Sequence, residues 1–291
     1  MQQPIGVPPP GFRLPNETRV GAVRLQVSDL ERSLRFYENV LGFRVLTRTA
    51  DGASLGVDEG RPLVVLDAAP GTTPSQGGAL GLYHFAVLLP DRAALGRLAL
   101  HFEALHVGAG VADHLVSEAV YLSDPDGLGI ELYADRPRSS WRSEDRQLMM
   151  TTEPLDLVNL VAAAGQHLWQ GLPAGTVIGH LHLHVGDLRA AENFYHRALG
   201  FDKVVWSYQG ALFFSAGGYH HHLGVNTWGS GERAADNAAR LLQWELVLPG
   251  EEAAAGAAGS LLQAGHHVVE EADGAWQAED PWGTRLRLTP A

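Results

Sequence analysis

The chain has 291 residues, is 45% hydrophobic and 19% charged, and contains no cysteine, which excludes disulfides and thiolate metal ligands and reads as a globular protein. Thirty-three acidic against 21 basic residues give a net charge of −12. That balance argues against a nucleic-acid partner, which needs a basic face, and no run of about 18 apolar residues argues for a membrane span.

The N-terminal MQQPIGVPPPGFRLP is proline-rich and lacks a basic start followed by an apolar core, so it reads as an extension over 1–19 rather than a secretory signal. A cytoplasmic location is the expectation. From residue 20 the chain repeats itself. VRLQVSDLERSLRFYENVLGFRV, residues 23 to 45, returns as LHLHVGDLRAAENFYHRALGFDKV from 181, with Asp29, Phe36, Tyr37, Gly42 and Phe43 matched at a constant offset by Asp187, Phe194, Tyr195, Gly200 and Phe201. Each copy predicts strand, helix, strand. Asp29 or Ser28 caps the first helix, Asp187 the second, and Gly42 and Gly200 end them.

A fainter repeat matches SDPDGLGIELY from 123 to EDPWGTRLRL from 279, each placing Asp-Pro-x-Gly before a strand. Upstream of these, YHFAVLLPD from 83 and QWELVLPGE from 243 read as strands ending at a proline and followed by a helix. The chain thus divides into four strand–helix–three-strand units over 20–75, 80–137, 177–230 and 240–290. The fold class is α+β, with βαβββ units forming curved sheets in two domains, 20–137 and 177–291. A structured linker over 138–176 joins them.

The motifs V-x-D-L…FY…LGF and DPDG-x-x-IEL, in paired βαβββ units, resemble the vicinal oxygen chelate superfamily, which includes glyoxalase I, fosfomycin and bleomycin resistance proteins and extradiol dioxygenases. GLYHFAVLLP, YLSDPDGLGIELYADRP, IGHLHLHV and GGYHHHLGVNTW are similar in particular to the bacterial catechol 2,3-dioxygenase group. The resemblance covers nearly the whole chain. It implies that a metal sits between two units, held from first-strand and last-strand positions.

Alternation locates those positions, because successive strand side chains face opposite ways. Aligning the apolar residues of the four first strands places Ala22, His84, His180 and Gln243 on the concave face. His182 and His184 share the face of His180, whose alignment with His84 favours it as the ligand. In the last strands the matching slots fall on Glu131, Arg287 and, reading HLGVN against ELYAD, His222. Units one and four offer no cation ligands. Units two and three offer His84, His180 and Glu131, the two imidazoles and one carboxylate that suit a non-haem iron oxygenase. Units two and three are therefore expected to pair across the two halves, with units one and four forming a metal-free pair.

By the resemblance, the chain is expected to be an Fe(II)-dependent extradiol dioxygenase, with Mn(II) the alternative metal and a catechol and O2 as substrates. His222 occupies a slot that holds a fourth ligand in glyoxalases and an acid/base histidine near this place in extradiol enzymes. Tyr121, ten residues before Glu131, matches a tyrosine that bonds the substrate hydroxyl. His220, His114 and His182 are further candidates for substrate contact, while His221 is expected on the helix side or at an edge. A homo-oligomer is compatible with this reading. A glyoxalase-like lyase or isomerase, with His222 as fourth ligand, and a non-catalytic binding protein of the same fold are the alternatives.

Overall fold

The computed structural model describes residues 5–58 and 60–291. Residues 1–4 of the expected N-terminal extension lie outside the described residues. Unit one comprises β1 Arg19–Val27, α1 Leu30–Asn39, β2 Arg44–Arg48, β3 Gly52–Gly56 and β4 Val64–Ala68. Unit two follows as β5 Gly81–Leu88, α2 Arg92–Ala104, β6 Gly110–Asp113, β7 Ser117–Ser123 and β8 Gly129–Asp135. The linker carries a short ribbon, β9 Ser143–Glu144 and β10 Gln147–Leu148, and helix α3 Leu157–Ala162. Unit three is β11 Val177–His184, α4 Leu188–Ala191 continued by a π-helical turn over Glu192–Ala198, β12 Asp202–Val205, β13 Ala211–Ser215 and β14 Leu223–Asn226. Unit four is β15 Arg240–Leu248, α5 Glu251–Gln263, β16 Val268–Glu270, β17 Trp276–Glu279 and β18 Arg285–Pro290. Among the described residues, no helix is long and apolar enough to cross a membrane.

Local chemistry explains these boundaries. Asp29, rather than Ser28, caps α1 by accepting from the Arg32 N–H at 3.0 Å, and Asp187 caps α4 by accepting from the Ala190 N–H at 2.7 Å. The first-strand positions aligned by alternation are all buried: Val23, Leu25, Phe85, Val87, Leu181, Leu183, Trp244 and Leu246 are fully enclosed beneath the helices. Each such side chain contributes about 1.5–3 kcal/mol of transfer free energy.

The strands form two eight-stranded sheets, ordered β16-β17-β18-β15-β1-β4-β3-β2 and β12-β13-β14-β11-β5-β8-β7-β6. Each is closed at its centre by antiparallel pairing of two first strands, β1 with β15 and β5 with β11. Unit one thus pairs with unit four and unit two with unit three, as the distribution of ligand residues requires. Every sheet takes one unit from each half of the sequence.

The Asp-Pro-x-Gly repeats tie the two sheets together. Asp124 Oδ1 accepts from the N–H groups of Asp126 and Leu128, both at 2.9 Å, while Tyr37 of α1 donates its hydroxyl to Oδ2 at 3.3 Å. Asp280 repeats this, with the N–H groups of Trp282 and Thr284 on one oxygen and the Tyr195 hydroxyl on the other at 2.8 Å. A helix belonging to one sheet is therefore bonded to a turn belonging to the other, within each half. The Gly127 backbone, at φ +82°, adopts the left-handed turn conformation that favours glycine.

Candidate metal centre

The site lies on the concave face of the sheet built from units two and three. Glu131 on β8 lies beside Ala86 on β5, and Ala86 lies beside His180 on β11. Three strands thus place a carboxylate, a methyl group and an imidazole in one row. The alanine is small enough for its two neighbours to meet over it: His180 Nε2 is 3.0 Å from Glu131 Oε2. His84, two residues before Ala86 and on the same face, brings its Nε2 to the same oxygen at 3.0 Å. Ligand atoms of all three residues lie within 4.8 Å of one another, so they could hold one metal ion.

The protonation of Glu131 and His180 suits a cation. Burial alone would raise the Glu131 carboxyl, but the His180 and His84 imidazoles override it and hold it well below the usual carboxylate range. Burial drives His180 down to about 4, against the pull of Glu131. Two imidazoles and one carboxylate are a donor set that a divalent first-row metal takes. His180 Nδ1 is buried without a partner, as is His182 Nε2.

A cavity of about 290 Å3 opens over these residues. Val111, Met150, Phe213 and Trp228 supply apolar walls, and Tyr208, Thr151 and Thr152 supply polar edges. A larger cavity of about 400 Å3 shares Tyr83, His84 and Tyr121 but includes neither Glu131 nor His180, so the full set of candidate ligands belongs to the smaller one.

Tyr121 is the cross-strand partner of Glu131 on β7, on the concave face as its spacing predicts. Its hydroxyl is 2.7 Å from His114 Nε2, and His114 Nδ1 is 2.7 Å from the Thr151 carbonyl. A carbonyl only accepts, so Nδ1 carries the proton and Nε2 accepts from the tyrosine. The phenol oxygen retains lone pairs for a donor in the cavity. Burial first, then the Glu131 charge, raises the Tyr121 pKa and keeps the phenol protonated. His182 on β11 faces His84 across the strand pair and lines the same cavity. Burial, followed by repulsion from His84 and His180, lowers its pKa well below the ordinary histidine value.

The triple histidine is arranged differently from the alternation expected of a strand. Residues 216–222 form a turn, opened by Gly217 at φ +61° and Gly218 at φ +68°, and β14 begins only at Leu223. His222 points away from the cavity: its Nδ1 accepts from the Ala216 N–H at 3.2 Å and its ring stacks on Phe201. Burial holds His222 down to about 3. The acid/base assignment of His222 is corrected accordingly. The residue of unit three that matches Glu131 in strand register is Gly224, which lies beside His182 as Glu131 lies beside Ala86. The substrate-contact assignment of His220 is corrected too, since its ring is fully buried behind the wall and bonds Asp135 Oδ1 at 3.0 Å. His221, expected on the helix side or at an edge, lines the cavity instead, with its ring centroid 4.0 Å from that of His180.

Sequence reasoning also missed Met150, Thr151 and Thr152 of the linker and the aromatic walls. The linker carries no periodicity that would direct it to the site. The Gly-Gly pair before the histidines is a turn signal that would have placed His221 differently.

The family described as Glyoxalase/Bleomycin resistance protein/Dioxygenase superfamily matches residues 19–132 and 177–288. Catechol-2,3-dioxygenase of Bacillus subtilis (strain 168) is 45% identical over 272 residues, covering 91% of this chain and 94% of that protein. Among solved structures, a putative dioxygenase from Bacillus subtilis subsp. subtilis str. 168 aligns with a TM-score of 0.70 at 14% identity, over 96% of this chain and 86% of that one. Glyoxalase I from Zea mays aligns with a TM-score of 0.55 at 17% identity, over 94% of this chain and 92% of that one. At these identities the structural likeness concerns the fold.

Proposed function

Since the chain belongs to the Glyoxalase/Bleomycin resistance protein/Dioxygenase superfamily, we propose that it is an Fe(II)-dependent extradiol dioxygenase that opens the ring of a catechol with O2. The observation that carries this reading is the convergence of His84, His180 and Glu131 at one end of a cavity of about 290 Å3 with aromatic and polar walls. The 45% identity to a catechol-2,3-dioxygenase supports it. The donor set also accommodates Mn(II).

Iron held by these residues supplies chelation of the diol, O2 binding and electron transfer between them. The protein's own groups do the rest. Phe213 and Trp228 offer flat apolar faces against which the ring packs. The Tyr121 oxygen, its proton committed to His114 Nε2, accepts from a substrate hydroxyl. His182 Nε2, buried and without a partner, offers a lone pair to a proton leaving the diol. The product keeps both atoms of O2 and carries an aldehyde and a carboxylate.

Anaerobic loading with Fe(II), followed by catechol and air, tests the reading. Uptake of one O2 per catechol with a yellow ring-opened product is expected. Turnover of a thiol hemiacetal with Ni, Co or Zn, without O2 uptake, would assign the site to glyoxalase-type chemistry. Ligand binding with neither metal nor turnover would make the chain a binding protein.

A further inference from the structure

A hydrogen-bonded chain runs from the edge of the sheet to the wall of the cavity. Asp135, the last residue of β8, is 28% exposed. Its Oδ1 lies 3.0 Å from His220 Nε2, and His220 Nδ1 lies 2.7 Å from His221 Nδ1. His221 lines the cavity beside His180. A second arm reaches the same Oδ1: Tyr219 donates to it at 3.2 Å, and Tyr133 lies 2.7 Å from the Tyr219 hydroxyl.

The direction of these bonds follows from their end. A carboxylate only accepts, so His220 carries its proton on Nε2. On a ring carrying that single proton, Nδ1 is a lone pair. Two ring nitrogens 2.7 Å apart are joined only if one of them donates, so His221 carries its proton on Nδ1. His221 Nε2 is then a bare acceptor. We infer that Asp135 and His220 are positioning residues that fix the tautomer of His221, so that its Nε2 accepts a hydrogen bond from the substrate in the cavity. The substrate half of this inference rests on the reading of the site as one for a diol, whose hydroxyls donate. The tautomer half rests on the bond chain alone. The backbone supports the arrangement: the turn before β14 sets His220 and His221 side by side, where a strand would have sent them to opposite faces.

Long-range proton–nitrogen correlation spectra of the metal-free, 15N-labelled protein at neutral pH test the tautomers directly. Wild type should show His221 protonated on Nδ1 with Nε2 bare, and His220 protonated on Nε2. Asp135→Ala, which removes the acceptor, should populate the opposite tautomer of His221. Asp135→Asn, whose side-chain oxygen still accepts, should keep the wild-type pattern. In iron-loaded protein, Asp135→Ala should retain its metal and raise KM for catechol up to about tenfold, the span of one hydrogen bond, while Asp135→Asn stays near wild type. A wild-type His221 protonated on Nε2, or tautomers unmoved by Asp135→Ala, would overturn the inference. An unchanged KM in Asp135→Ala would overturn the substrate contact. Wild-type iron protein that leaves catechol intact would refute the dioxygenase reading and leave the tautomer result standing.

Discussion

His180 and Glu131 touch at 3.0 Å although a whole strand runs between theirs, because the residue between them is Ala86. The contact brings together two halves of the chain. Replacing Glu131 or His180 with Ala should lower metal affinity by more than about 100-fold, beyond the usual cost of losing a partner behind the ligands. Metal analysis after dialysis measures this, with circular dichroism to verify the fold. A full metal complement in Glu131→Ala would exclude Glu131 as a ligand.

Gly224 is closely packed against His182. A Cβ there would sit 3.0–3.1 Å from the His182 ring. Gly224→Ala is expected to push the imidazole into the cavity and to cost about 1–3 kcal/mol of stability. Metal content should hold while KM rises. Urea unfolding and steady-state kinetics report the two effects separately.

Tyr121→Phe removes the hydroxyl that His114 Nε2 meets at 2.7 Å and that is proposed to accept from the substrate. Losing one hydrogen bond to substrate costs about 0.5–1.5 kcal/mol, so kcat/KM should fall roughly 2- to 12-fold. Iron retention should be unchanged, since Tyr121 is outside the ligand cluster.

Burial pushes Asp124 up to about 6 from 3.8, against the backbone N–H groups that oppose the shift. The native state then binds more protons than the unfolded state between these values, so stability contributed here is lost as pH rises from about 4 to about 6. The loss levels off above that window at about 3 kcal/mol at most. In Asp124→Asn the corresponding slope should vanish from urea unfolding measured between pH 4 and pH 7. An unchanged slope would assign the titration to another group.

Arg287 occupies, on the other sheet, the register position of Glu131. Its guanidinium binds Glu271 at 2.6 Å and Glu245 at 3.1 Å, and also Asp273. A covalent cation thus sits where the other sheet gathers residues that could hold a metal ion. Removing it in Arg287→Ala leaves carboxylates facing one another and should cost about 1–2 kcal/mol, less than for a fully buried pair because the network reaches solvent. Metal retention at His84, His180 and Glu131 should be unaffected, as a metal assay on the folded variant would show.

Strand periodicity and repeated motifs determined much of this protein. Apolar residues two apart specified which face of each first strand is buried, and therefore which residues, His84 and His180 among them, face the concave side. The Asp-Pro-x-Gly repeat located β8 and with it Glu131. These features are local, because a pleat and a cap depend on neighbours in the chain. Tertiary structure alone decided the roles of the histidines at 220–222, since a glycine turn breaks the alternation and only packing against β8 and β11 says which ring meets the cavity. It likewise decided that Met150, Thr151 and Thr152 complete the walls, because a linker without periodicity takes its path from the surfaces it covers.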